Sequence, residues 1–304
     1  MTFKKILYRV LQAGVVVIIF YFLLKNLFSN WGQIKQYSWD FNYPLLLLSF
    51  VLVSLSYSVL VKVWKEILRH SGSALSYSKM FKVWFISNLG RYVPGKVWQV
   101  LGMLYLLEKE NVPKSKGFSV AILAQALSSM AGILVMIGFV KYEFYQKLFS
   151  QSLWFLFVLI AFVLGVIILI FYPGLLQRVI NSGLRFFKKE KISLDYKPKN
   201  LLFYLLSYVG CWFLFGFCFL IFIKSITPAP FEIYFGVTGA FAGSVTIGFL
   251  AFFSPGGIGI REGILVALLS SYFPPPVATL IALLSRLWVT LAELFLFLVA
   301  LAVK

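Results

Sequence analysis

Long apolar runs alternate along this chain with short connections in which nearly all of the charge collects. Residues 44–61, 117–140, 152–173, 201–223 and 233–260 contain no Asp, Glu, Lys or Arg. Each run approaches or exceeds the ~20 apolar residues that a helix needs to cross a bilayer. The runs are continuously apolar and lack the period-2 alternation of a membrane barrel, so they predict helices. In order, the pattern predicts helices over about 6–28, 44–63, 117–140, 153–173 and 200–223. An apolar run over 232–253, a short segment over 261–273 and a last helix over about 276–303 follow.

Two places break the pattern. Segment 79–107 holds Leu89-Gly90-Arg91-Tyr92-Val93-Pro94-Gly95-Lys96-Val97-Trp98, with helix breakers and cations at its middle. Gly90 and Pro94-Gly95 divide it into pieces about half the length of a span. The second break is Ser254-Pro255-Gly256-Gly257-Ile258-Gly259-Ile260, after which Pro274-Pro275-Pro276 ends a piece that is again too short to cross. Each break predicts a hairpin that dips into the membrane and returns.

Composition sharpens this reading. With 12% charged residues against the roughly 25% of a soluble domain, no part of the chain fits a water-soluble unit. The formal net charge of +18 does not point to nucleic acid, because the cations sit in connections between spans, where topology signals and anionic headgroup contacts belong. If segment 79–107 re-enters, the connections rich in Lys and Arg all fall on the side of the N-terminus, including the loop from Arg178 to Lys199. Only Lys25, Lys35, Lys141, Lys147 and Lys224 then lie opposite. A single crossing there would export the Arg178–Lys199 loop, so the positive-inside rule selects re-entry. The same reasoning starts the 232–253 run on the far side, so the second hairpin dips from the opposite face.

The expected fold is therefore an all-α polytopic membrane protein with about seven full spans plus two re-entrant or broken helical hairpins. The arrangement is an inverted repeat, with half-repeats of roughly 44–140 and 200–303 in one membrane domain over residues 1–304. The N-terminal run, preceded by Lys4 and Lys5 and followed by no small-residue cleavage site, is expected to be an uncleaved span. Both termini are expected on the cytoplasmic side of a bacterial or archaeal cell (inner) membrane.

Candidate chemistry follows from the breaks. Non-helical backbone at membrane depth is tolerated only against protein or a wet cavity, so the two breaks should meet. Paired interrupted segments in two halves point to a substrate site. Half-helices starting near Lys96 and near Arg261-Glu262 would aim their positive dipole ends inward, and Arg91, Lys96 and Arg261 add full charges. Arginine suits forked binding of phosphate oxygens, and the glycines allow close backbone approach. Arg286 and Glu293, seven apart on the last helix, share a face that could turn toward the same cavity. Glu262 is open to two readings: a site residue, or the partner of a neighbouring arginine that holds the hairpin.

Other residues carry less. Cys211 and Cys218 lie two helical turns apart, too distant to bridge, and read as small apolar residues. His70 lies in a basic loop, and with one histidine no zinc site is expected. Trp31, Trp39, Trp84, Trp98 and Trp154 read as interfacial anchors.

The pair Arg91-Tyr92-Val93-Pro94-Gly95-Lys96-Val97-Trp98 and Pro255-Gly256-Gly257-Ile258-Gly259-Ile260-Arg261-Glu262 resembles the paired motifs of a flippase-like family, that of the transmembrane region of lysylphosphatidylglycerol synthase. The likeness covers nearly the whole chain. It implies movement of a lipid between leaflets and marks Arg91, Pro94, Gly95, Gly256, Gly257, Gly259 and Glu262. No aminoacyl-transferase domain follows Lys304, so synthesis of an aminoacyl lipid is not expected.

Residues and resemblance together give the expected function, a flippase-like lipid transporter. It would bind a phosphate-bearing headgroup of a membrane phospholipid or a polyprenyl-phosphate-linked lipid. The expected substrate-binding set is Arg91, Tyr92, Pro94, Gly95, Lys96, Pro255, Gly256, Gly257, Gly259, Arg261, Glu262, Arg286 and Glu293. No metal, cofactor or catalytic constellation is expected. Two alternatives stay open. One is an intramembrane lipid-modifying enzyme with Glu262 as base. The other is a non-transporting subunit that docks a glycosyltransferase or lipid synthase through the Arg178–Lys199 loop. An oligomer is compatible with any of the three.

Overall fold

A computed structural model describes residues 39–92, 98–141, 154–186, 196–251 and 254–303, together with the isolated residues 32, 35, 37, 191 and 193. The expected first span, about 6–28, lies outside the described residues. Among the described residues the fold is all-α, with no strand.

Ten α-helices make up the described chain. Helix α1 (Tyr43–His70) begins where the Asn42 side chain accepts the Leu45 N–H at 3.0 Å and Pro44 sits in the first turn. Helix α2 (Tyr77–Asn88) begins at Ser76, whose hydroxyl accepts the Lys79 N–H, and it runs into a 3₁₀ turn, Leu89–Tyr92. Helix α3 (Trp98–Lys109) returns, and α4 (Lys114–Phe139), α5 (Trp154–Phe171), α6 (Pro173–Phe186) and α7 (Pro198–Lys224) follow. Helix α8 (Tyr234–Leu250) leads to a 3₁₀ turn, Pro255–Gly257. Helix α9 (Ile260–Leu269) returns, and Pro275 and Pro276 open α10 (Pro275–Ala302).

Among the described residues five helical segments, α1, α4, α7, Phe231–Leu250 and α10, are long and apolar enough to cross a membrane, or six if α5 and α6 count as one bent span. With these, the chain is an integral membrane protein. Both expected hairpins are present. Helices α2 and α3 have 12 residues each, about 18 Å of rise, and pack on each other. The second hairpin is unequal, with α8 of 17 residues packed on α9 of 10.

The hairpins insert from opposite ends of the bundle. At the mouth of the first, Lys79 pairs with Glu110 at 2.6 Å and Lys82 donates to the Val303 carbonyl at the end of α10. At the mouth of the second, Lys141 at the end of α4 donates to the Ser271 carbonyl at 2.9 Å. The 3₁₀ turns at the two tips contact each other between these ends. The contacts also repeat between halves. Helix α1 packs on α2 as α7 packs on α8, α3 on α4 as α9 on α10, and α2 on α10 as α8 on α4. The α1–α7 contact and the tip-to-tip contact map onto themselves under this exchange.

Two expectations are corrected. The loop from Arg178 to Lys199 is helical over its first part: α6 leaves α5 at a 113° bend. Its Leu175 and Val179 are exposed while Arg178 and Arg185 carry the charge, so an amphipathic helix replaces a basic loop. Trp84 is not an interfacial anchor, since it is buried against Phe85 and Tyr57. Trp98 and Trp154 are exposed at 52% and 69%, and Trp98 opens α3 at the hairpin tip, away from either end of the bundle.

Candidate functional site

The first tip is shaped by Gly90. A Cβ there would lie 2.6 Å from the Gln99 backbone nitrogen, so only glycine lets α3 start this close to the turn. Gln99 donates its side-chain amide to the Asn88 side-chain Oδ1 at 3.0 Å, tying the two arms together. Arg91 leaves this turn and forms an ion pair with Glu293 of α10, which is 1% exposed. Glu293 also accepts the Tyr57 hydroxyl at 2.6 Å. Tyr92 lies in the same turn. Pro94, Gly95 and Lys96 lie outside the described residues.

The second tip is held by its own residues. Pro255, Gly256 and Gly257 form the turn, and Gly256, Gly257 and Gly259 have φ of 56°, 70° and 86°. Glu262 folds back on the start of α9, and its carboxylate accepts the Gly259 N–H at 2.6 Å. Its other oxygen meets Arg286 of α10 at 3.0 Å, and Arg286 also donates to the Gly256 carbonyl at 3.1 Å. The expected anion site at the α9 N-terminus is thus occupied by the chain's own acid. Of the two readings of Glu262, the geometry is that of the hairpin clasp.

Arg286 and Glu293 do share a face, and its use is now visible. Arg286 clasps the second tip and Glu293 the first, so α10 fastens both hairpins two turns apart. Arg261 stands apart from these pairs. It is 8% exposed, its guanidinium lies 5.3 Å from the Phe241 ring centre, and its Nη2 has no hydrogen-bond partner among the described residues.

Two chambers adjoin at the arginines, of about 150 and 370 Å³. Arg91 and Arg261 line both, together with Trp64, Gln99, Gln125 and Ser129. Gly256 and Arg286 border the larger chamber, where Val100, Met103, Ile122 and Leu250 supply apolar wall. Trp84, Asn88, Ser128, Tyr208, Trp212 and Thr246 face the smaller one. Glu262 and Glu293 line neither. The expected Arg91 and Arg261 therefore line the same cavity, with Glu293 paired to Arg91 and Glu262 paired to Arg286.

Sequence reasoning missed Asn88, Gln99, Gln125, Tyr208 and Thr246. Their signal was available. Each is a polar residue isolated in an apolar helix, where a group without a partner is costly.

Fold and site define an all-helical integral membrane protein whose two opposed hairpins bring Arg91 and Arg261 to shared cavities near their tips. The chain belongs to the family of the lysylphosphatidylglycerol synthase TM region, whose family model matches residues 9–297. That places it among lipid-related membrane proteins. No curated protein and no solved structure matches the chain.

Proposed function

We propose that this protein holds the phosphate of an anionic lipid headgroup against Arg261, between the two hairpin tips, and carries it from one leaflet to the other. A membrane phospholipid or a polyprenyl-phosphate-linked lipid would supply that phosphate. One observation carries the reading. Among the described residues Arg91 is matched by Glu293 and Arg286 by Glu262, while Arg261 lines both chambers and is ion-paired with neither acid. Three arginines share two glutamates here, and a single phosphodiester charge would balance the excess. The guanidinium supplies the donors that phosphate oxygens need.

The exchange of contacts between halves supports the inverted repeat of 44–140 and 200–303, and with it movement of one half against the other around a fixed site. The distribution of Lys and Arg supports termini on the cytoplasmic side. An enzymatic role loses its best base, because both oxygens of Glu262 are engaged and neither faces the chambers.

The test is reconstitution in vesicles that contain a fluorescent phosphatidylglycerol, with quencher added outside. Protein should make inner-leaflet label accessible, and Arg261→Met should slow this at least tenfold. Equal rates for the variant and the parent protein would refute the reading.

A further inference from the structure

Helix α6 takes no part in the cavity, and its sides differ in chemistry. After the 113° bend it runs close to perpendicular to α5. Its 14 residues include Gln177, Arg178, Asn181 and Arg185, and arginine is too expensive in the hydrocarbon core for α6 to continue the span. At about 100° of rotation per residue, the described side chains fall on three arcs. Leu176 and Ile180 share one arc and pack on the core of the bundle, with Leu176 fully buried. Leu175 and Val179 share the next and are exposed. Arg178 and Arg185, seven apart, share a third, also exposed, and neither makes an ion pair or side-chain hydrogen bond among the described residues.

What covers the exposed arc can be read from its continuation. Phe171 and Tyr172 at the bend are 56% and 66% exposed, and they join Leu175 and Val179 to the exposed apolar side of α5 at Leu164, Ile167 and Ile168. The lipid that covers α5 therefore reaches α6. A water-soluble partner would meet the two arginines but not a stripe that runs on into the hydrocarbon. The connection holding α6 enters α7 beside the end of α1, where Tyr196 donates to the Ile67 carbonyl at 2.9 Å. That is the end of the bundle from which the first hairpin inserts, since α2 starts only a few residues beyond α1. An apolar arc flanked by cations, on a helix set across the span, fits the plane between acyl chains and phosphates.

We propose that α6 is a docking surface for anionic phospholipid in the leaflet at the mouth of the first hairpin. Leu175 and Val179 insert among the acyl chains, and Arg178 and Arg185 hold anionic headgroups. Seven residues separate the guanidiniums by about 10 Å along the axis, so each meets its own headgroup. The surface is distinct from the cavity at Arg261 and stands whether or not that cavity carries lipid.

An environment-sensitive dye on Val179→Cys, in the full chain in phosphatidylcholine nanodiscs, tests this. Cys211 and Cys218 are buried, so the new thiol takes the label. Its emission should be blue-shifted and protected from aqueous iodide. Phosphatidylglycerol with a nitroxide high on its acyl chain should gather around the dye about fivefold over phosphatidylcholine with the same nitroxide, as read from quenching. That is what one basic side chain near a charged surface contributes. In Arg178→Gln/Arg185→Gln the preference should fall to near parity while protection from iodide stays. Free access of iodide would overturn the proposal and leave α6 as a face for a water-soluble partner. Protection with equal quenching by the two lipids would overturn the anionic headgroup. A preference that survives in the double variant would overturn its assignment to these arginines.

Discussion

Arg91, on the turn of the first hairpin, is ion-paired with Glu293 on α10, 202 positions further along the chain. The pair joins the tip of one half to the closing helix of the other. Glu293 is 1% exposed, so its charge depends on this partner and on Tyr57.

Removing Arg91 should therefore act on stability before it acts on transport. Arg91→Met leaves a carboxylate buried beside apolar side chains, and breaking such a pair costs about 3–5 kcal/mol. Arg91 keeps 27% exposure, which puts the expected loss near the lower end, about 3 kcal/mol. The double variant Arg91→Met/Glu293→Met should recover most of it. Thermal unfolding of the four proteins of this double-mutant cycle in detergent measures the coupling. A double variant as unstable as the single would show that the pair is not what fastens the tip.

Arg261 should behave in the opposite way. Its buried Nη2 has no hydrogen-bond partner among the described residues, so Arg261→Met removes a desolvation penalty and the repulsion of Arg286 and Arg91 while surrendering the contact with Phe241 and the attraction of Glu262. Unfolding temperature should stay level or rise while translocation falls at least tenfold. A residue kept at a cost to stability and needed for transport is a site residue. Loss of stability together with transport would instead make Arg261 a structural cation.

Much of this arrangement was legible in the sequence, and the parts that were not share a physical cause. Glycine and proline mark breaks whatever surrounds them, so both hairpins could be read at Gly90 and at Gly256-Gly257. Lys and Arg in the connections sorted the ends of the bundle, and the structure brings Lys79 and Lys82 to one end and Lys141 to the other. Pairing was less accessible. Arg286 lies seven positions from Glu293 on one face, yet each binds across to a different hairpin, and local spacing does not encode that choice. The polar wall of the smaller chamber comes from Asn88, Tyr208 and Thr246 on three helices, and only packing reveals that they face one cavity. Helix α6 was hidden because charge density was read there without the 3.6-residue period of its apolar positions.

Two glycines should separate backbone need from mere smallness. Gly257 has φ of 70°, and a Cβ on it would lie 2.7 Å from the Gly248 carbonyl oxygen. Gly257→Ala should therefore destabilise the protein by about 1–3 kcal/mol and displace the tip that Arg286 clasps. Gly263, inside α9, has open space around it. Gly263→Ala should be neutral or stabilising by up to about 1 kcal/mol. Unfolding temperatures of the two variants, measured side by side, check the contrast.

The opposed insertion of the hairpins makes a prediction about sidedness that needs no knowledge of the lipid. Cys211 and Cys218 are 3% and 2% exposed, so the native thiols should not react with a membrane-impermeant maleimide in the folded protein. New cysteines can then report alone. Ser115 begins α4 beside the mouth of the first hairpin and is exposed, and Ser270 at the end of α9 is exposed beside the mouth of the second. In intact cells, Ser270→Cys should label from outside, while Ser115→Cys should label only after the membrane is opened. Each hairpin is tied to its own end of the bundle, the first by Lys79–Glu110 and the second by Lys141 and the Ser271 carbonyl. Labelling of both positions from one side would therefore require the bundle to lie otherwise in the membrane, and the site between the tips would lose its access from the two leaflets.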